Sequence, residues 1–288
     1  MTGMRRRFSQ VDVFTDTPLL GNPVAVVHDS DDVTTATMQT FTAWTNLSEA
    51  TFLLPPTHPD ADYRVRIFCP GRELPFAGHP TLGTCHAWLA AGGVPRSDDV
   101  VQQCGSGLIR IRRHEGRLAF LAPPLVRSGP LDEADVARIA SGLGLRPAEI
   151  VDHQWCDNGP GWRAVLLEDA DRVLALEPDP EILAGLDVGV VGMGSPSGAD
   201  VEVRAFFPGN TGLTEDPVTG SLNAALAQWL IGVGRLPDSY TAAQGTALGR
   251  AGRVHIASDA DGIWVGGSCV TVVTGEVDLG ESGPGQHA

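Results

Sequence analysis

The chain has 288 residues, 42% of them hydrophobic and 19% charged, and a formal net charge of −15 at pH 7, which predicts a soluble globular protein of one large or two medium domains. So acidic a chain is a poor match for nucleic acid or for an anionic membrane surface, which both select basic faces, although a local pocket can still be positive. All 20 basic residues are arginine, so lysine Schiff-base chemistry, including pyridoxal-phosphate and lysine-aldolase mechanisms, and a Walker-type phosphate loop are all excluded.

Arg5, Arg6 and Arg7 are followed by no apolar run, so the start does not read as a secretory signal, and no apolar stretch reaches transmembrane length. Valine-rich strands are expected at 11–14 and 22–27, and an alternating, half-buried strand at 62–69. Then comes ELPFAGHPTLGT (73–84), which predicts a helix over 80–91 entered at His79-Pro80 and stopped by Gly92-Gly93. Strands follow at 107–111 and 116–120, and the Pro/Gly-rich segment 122–132 reads as a linker. Beyond it lie strands at 165–167 and 201–207. Between these two, the glycine-rich 192–198 precedes a strand and contains Pro196, so it reads as a loop and not a dinucleotide motif. GLTEDPVTGS (212–221) predicts a second helix over 217–231, with Asp216 as its N-cap and Gly232 as its stop. A strand at 263–265 and a tail from Gly280 that reads as disordered complete the chain. The five cysteines are scattered, odd in number and never C-x-x-C, which fits a reducing, cytoplasmic setting and neither a disulfide framework nor a structural zinc site. His79 and His86 have no third ligand near in sequence, so no metal is expected.

The chain repeats itself. His79-Pro80-Thr81-Leu82-Gly83-Thr84 matches Asp216-Pro217-Val218-Thr219-Gly220-Ser221. Arg64-Val65-Arg66-Ile67-Phe68-Cys69-Pro70 resembles Glu202-Val203-Arg204-Ala205-Phe206-Phe207-Pro208, and Gly107-Leu108-Ile109-Arg110-Ile111 resembles Gly252-Arg253-Val254-His255-Ile256. A long period met only twice points to a duplicated domain rather than a solenoid. The expected boundaries are 1–126 and 127–280, with 281–288 as a disordered tail and the last strand free to join either domain. Two helix starts facing each other would attract one small anion through their free N–H groups and dipoles. His79 and Asp216, heading the matched turns, would then be one proton carrier from each half. Taken singly, each has a plain structural reading, Asp216 as a helix cap and His79 as a loop histidine with satisfied hydrogen bonds.

The blocks Val11-Asp12-Val13-Phe14, Gly21-Asn22-Pro23-Val24-Ala25-Val26, Leu47-Ser48-Glu49-Ala50-Thr51-Phe52, Glu73 to Thr81 and Glu215 to Ser221 stand in an order that resembles the phenazine-biosynthesis isomerase (PhzF-like) family, from about residue 8 to about residue 277. The resemblance implies an α+β, diaminopimelate-epimerase-like fold of two pseudo-symmetric domains, each a curved, mostly antiparallel sheet wrapped around a central helix. It implies a homodimer without cofactor or metal, acting on a small anionic metabolite in the cleft between the domains. Carried over residue by residue, the acid/base falls on Glu49, with His79 and Asp216 as further catalytic groups. Ser221 and the backbone of Gly78 and Gly220 would bind substrate. Without the resemblance Glu49 reads only as a solvated strand end. Epimerases of this fold use two cysteine bases, which this chain lacks at those positions. Cys104-Gly105-Ser106-Gly107 lies in a turn, and Cys69 reads as a buried small hydrophobe. Two functions remain: an isomerase moving a proton within a carboxylate-bearing, possibly cyclic, dihydroaromatic metabolite, and a non-catalytic small-molecule-binding or regulatory member of the same fold.

Overall fold

The computed structural model describes residues 5–209 and 212–280, so the tail at 281–288 lies outside the described residues. The chain divides into two compact units. Among the described residues the first comprises those up to Leu19, Pro23–Phe120 and those from Ser268 onward, and the second comprises Leu20–Asn22 and Leu121–Gly267.

The first unit runs β1 (Arg5–Val13), β2 (Asn22–Val27), α1 (Thr35–Thr45), β3 (Ala50–Leu54), β4 (Tyr63–Cys69), β5 (Arg72–Leu74), α2 (Gly78–Ala90), β6 (Val100–Cys104), β7 (Gly107–His114) and β8 (Arg117–Leu121). β2 lies parallel to β3, and β4 parallel to β6; β3–β4, β4–β5, β6–β7 and β7–β8 are antiparallel. The second unit opens with α3 (Glu133–Gly142) and β9 (Asp152–Trp155). It continues with β10 (Arg163–Asp169), α4 (Ala170–Leu174), β11 (Val188–Met193), β12 (Val201–Gly209), β13 (Gly212–Glu215), α5 (Gly220–Gly232), β14 (Ser239–Gln244), β15 (Gly252–Asp259) and β16 (Gly262–Gly267). Its pairings repeat the same plan: β10 is parallel to β11 and β12 to β14, with antiparallel β11–β12, β12–β13, β14–β15 and β15–β16. The last strand, β17 (Cys269–Asp278), belongs to the first unit, where it pairs antiparallel with β1.

Strand register fixes which residues of the two copies are equivalent, and it corrects the alignment read from sequence. Ala50 pairs with Phe68 as Val188 pairs with Phe206, and Phe68 then pairs with Glu73 as Phe206 pairs with Glu215. Glu73 is therefore the counterpart of Glu215, and both central helices open five residues later, at Gly78 and Gly220. His79 thus corresponds to Ser221, and Asp216 to Leu74. The sequence match of His79 with Asp216 was a five-residue slip. It arose because β12–β13 carries its ladder out to Gly209↔Gly212, whereas β4–β5 closes at Cys69↔Arg72. The helix starts are corrected with it: the N-caps are Ala77 and Thr219, not His79 and Asp216. Pro80 is the third helical residue, where its missing N–H has no intrahelical partner to lose, and Pro217 lies ahead of α5.

Both central helices are apolar nearly all round, as helices buried within a sheet must be. Leu82 and Cys85 in α2, and Leu222, Ala224, Ala225, Ala227 and Leu230 in α5, have no exposed surface. Each fully buried leucine contributes about 1.5–3 kcal/mol. Close approach of helix to sheet is obtained differently in the two units. In the first, the helix supplies the glycine: a Cβ on Gly83 would stand 2.3 Å from Val24. In the second, the strand supplies it: a Cβ on Gly189 would stand 2.4 Å from Leu222.

Candidate functional site

At the start of α2, His79 is the second helical residue and its side chain is 7% exposed. Glu49 immediately precedes β3, a strand with every residue buried, and its own side chain is 17% exposed. The Thr84 hydroxyl donates to that of Thr51 at 2.8 Å, which ties α2 to β3 beside Glu49. Nε2 of His79 stands 3.4 Å from a Glu49 carboxyl oxygen. Burial pushes the imidazole down to about 3, with a hydrogen bond to the Pro23 carbonyl acting the other way. The ring is therefore neutral near pH 7, and the 3.4 Å approach is a polar contact between a neutral base and a carboxyl group, not an ion pair. Desolvation dominates because the side chain is almost closed to water.

At the start of α5, Asp216 follows the hairpin and precedes the helix. Its Oδ1 accepts from Asn22 Nδ2 at 2.9 Å and its Oδ2 from the Thr219 hydroxyl at 2.6 Å. Burial raises its pKa from 3.8 to about 6, although both hydrogen bonds pull it down. Ser221 is the second helical residue of α5, in the place His79 holds in α2. Its Oγ accepts from Trp162 Nε1 at 3.0 Å, and its carbonyl accepts from Asn158 Nδ2 at 2.9 Å. With its oxygen engaged as an acceptor, the Ser221 hydroxyl has its proton to give. Trp162 and Asn158 sit on a turn fixed by Asp157, whose Oδ1 accepts from the N–H groups of Gly159 and Gly161. Gly78 and Gly220 are both buried first residues of their helices, where backbone N–H groups lack intrahelical acceptors and favour an anion.

Glu49 and His79 are thus brought together in the first unit. Asp216, Gly220 and Ser221 are brought together in the second. Sequence reading missed Asn22, Thr219, Gln244, Trp162 and Asn158 as members of these sets. Asn22 lies within the Gly21-Asn22-Pro23 stretch that carries the family resemblance, and Gln244 is a lone amide ending an apolar strand, a pattern that signals a buried polar role. Nothing in the sequence marked Trp162 or Asn158. His86 Nε2 is hydrogen-bonded to the Thr271 hydroxyl at 3.0 Å. Among the described residues there is no group of three or more His, Cys, Asp or Glu side chains that could hold a metal ion. Nor is any helix among them long and apolar enough to cross a membrane.

The sequence profile of the phenazine biosynthesis-like protein family matches residues 11–275. The chain belongs to that family. It is 34% identical to the trans-2,3-dihydro-3-hydroxyanthranilate isomerase of Pseudomonas aeruginosa, over 89% of this chain and 91% of that protein. It is 32% identical to antisense-enhancing sequence 1 of Schizosaccharomyces pombe, over 93% of this chain and 97% of the relative. Its fold superposes with a TM-score of 0.79 on a phenazine biosynthesis protein of the PhzF family from Enterococcus faecalis, at 25% identity, covering 95% of this chain and 99% of the other. The protein is accordingly an isomerase of the PhzF-like family with the family's α+β architecture.

Proposed function

We propose that this PhzF-like isomerase moves a proton between two carbons of a small, carboxylate-bearing, cyclic or unsaturated metabolite, with Glu49 as the acid/base and no cofactor. The C–H bond breaks toward the Glu49 carboxylate, and the electron pair spreads into the substrate's conjugated system. The protonated Glu49 then returns the proton to a different carbon, so that atoms and electrons balance without an oxidant. His79, neutral and 3.4 Å from Glu49, and Asp216 steady the charge that builds between the two steps. Ser221 and the first N–H groups of α5 hold the substrate carboxylate.

The observation that carries this reading is the shielded pair of Glu49 with an uncharged imidazole, a carboxyl group beside a proton acceptor in a nearly dry setting. The named substrate of the Pseudomonas aeruginosa relative, a dihydro-hydroxyanthranilate, has the required carboxylate on a partly unsaturated ring.

The test is incubation with trans-2,3-dihydro-3-hydroxyanthranilate in deuterated water, followed by mass spectrometry and proton NMR. Wild type should incorporate deuterium at the carbon that gains hydrogen, and Glu49→Gln should lose at least about a hundredfold of that rate. Equal incorporation by Glu49→Gln removes Glu49 from the chemistry. Failure of wild type to form any product removes this substrate.

A further inference from the structure

Asp216 is held by a chain of hydrogen bonds whose direction is set by the backbone. The Thr219 N–H donates to Gln244 Oε1 at 3.0 Å. An N–H can only donate, so the amide oxygen of Gln244 must face it, and the amide nitrogen must face the other way. That nitrogen donates to the Thr219 hydroxyl oxygen at 2.9 Å and to the Asp216 carbonyl at 3.1 Å. Asn223 Nδ2 donates to the second acceptor position of Gln244 at 2.8 Å and to the Thr219 carbonyl at 2.9 Å, so its orientation is fixed as well. Gln244 therefore makes two donations and two acceptances with no exposed surface. It leaves the Thr219 hydroxyl one course, to send its proton to Asp216 Oδ2 at 2.6 Å. On the other side the Val218 carbonyl, accepting at 2.9 Å, fixes the amide of Asn22 so that it donates to Asp216 Oδ1.

We infer that Gln244 is a positioning residue for the reaction: by fixing the direction of the Thr219 hydroxyl it makes Asp216 present an ionised, proton-accepting carboxylate to the substrate. The inference rests on the reading that puts Asp216 at the site, and it deepens that reading by assigning Asp216 the acceptor's part. The substrate must then offer this carboxylate a donor, an amine or hydroxyl group, besides its own carboxylate. Two donors on an acid with no acceptor opposite favour the charged form against the cost of burial. The charged groups packed around Asp216 do not supply the same effect. Glu215 on β13 pushes the other way, and its carboxylate is occupied by Arg204 through bonds of 2.9 and 2.8 Å. The first unit supplies a contrast. Gln102 is equally buried, donates to the Thr81 hydroxyl at 2.9 Å and accepts from the Tyr63 hydroxyl at 3.0 Å, with no carboxylate at the end of its chain.

The experiment is a carbon-13 NMR titration of the full chain labelled at aspartate Cγ, with the Asp216 signal assigned by its absence in Asp216→Asn. It needs no substrate, so it stands apart from the fate of the proposed reaction. Thr219→Val and Gln244→Met should each raise the Asp216 midpoint by about one pH unit. Thr219→Ser, which keeps the hydroxyl, and Gln102→Met, which removes an equally buried amide, should leave it in place. A merely structural Gln244 would lower stability without moving the midpoint. An unmoved midpoint in Thr219→Val overturns the inference even if Gln244→Met does not fold. A shift in Thr219→Val that is absent from a folded Gln244→Met overturns the part assigned to Gln244.

Discussion

The two hairpins that lead into α2 and α5 carry the same ion pair in different surroundings. Arg66 grips Glu73 at 2.8 and 2.5 Å and lies over the Phe68 ring at 5.0 Å; Arg204 grips Glu215 at 2.9 and 2.8 Å and lies over Phe206 at 4.9 Å. The first pair is partly open to water, with side chains 26% and 41% exposed, while the second is 7% and 12% exposed. Arg204 also donates to the carbonyls of Val173 and Leu176 at the end of α4, and Arg66 donates to the Thr35 hydroxyl at the start of α1. The duplication thus preserved a geometry while its energetic weight diverged. The helix starts show the same lesson in chemical form: His79 in one frame, Ser221 in the equivalent position of the other, and a carboxylate at Asp216 where the first copy has Leu74.

The largest expected contrast follows from the ion pairs. Arg204→Met strands the Glu215 charge in a nearly dry site and should cost about 3–5 kcal/mol. Arg66→Met should cost no more than about 1 kcal/mol. Urea unfolding of the two variants measures both, and equal losses would break the comparison.

The next contrast is in pH. The unfolded chain protonates His79 below its ordinary value of 6.5, whereas the folded protein resists until about 3. Stability supplied by keeping the ring neutral is therefore present above pH 6.5 and is lost as pH falls toward 3. His79→Gln should remove that slope, which amounts to a few kcal/mol. Asp216 has the opposite sign. Its folded value is raised from 3.8 to about 6, so its contribution is present below pH 3.8 and is lost as pH rises through 6. Asp216→Asn should flatten the curve over that window by a smaller amount. Slopes of the same sign from the two residues would contradict the assigned surroundings. The smallest contrast is steric. Ala225 is the α5 counterpart of Gly83, so Ala225→Gly should cost about 1 kcal/mol. Gly83→Ala, meeting Val24, should cost about 1–3 kcal/mol.

Strands and their periodicity were legible because alternation along 62–69 and 201–207 records one wet face and one dry face. The duplication was legible in those same strands and in 107–111 against 252–256, which the sheet register supports through Ile111↔Phe120 and Ile256↔Val265. The pairing of the two turns was not, because proline and glycine recur in both at more than one spacing and the longer hairpin lies between strand and turn. Glu49 was visible only through the family resemblance, since its burial depends on β4 and α2 folding over it. The Gln244–Thr219–Asp216 chain joins residues distant in sequence through backbone groups, and no local pattern announces it.

The most direct test of Glu49 as the acid/base uses trans-2,3-dihydro-3-hydroxyanthranilate deuterated at the carbon that loses its hydrogen, turned over once in ordinary water. A single shielded carboxyl group carrying the label predicts that part of the deuterium reappears at the carbon that gains hydrogen, and that Glu49→Gln abolishes the transfer. Complete loss of the label to solvent in that single turnover, or transfer undiminished in Glu49→Gln, would contradict the account.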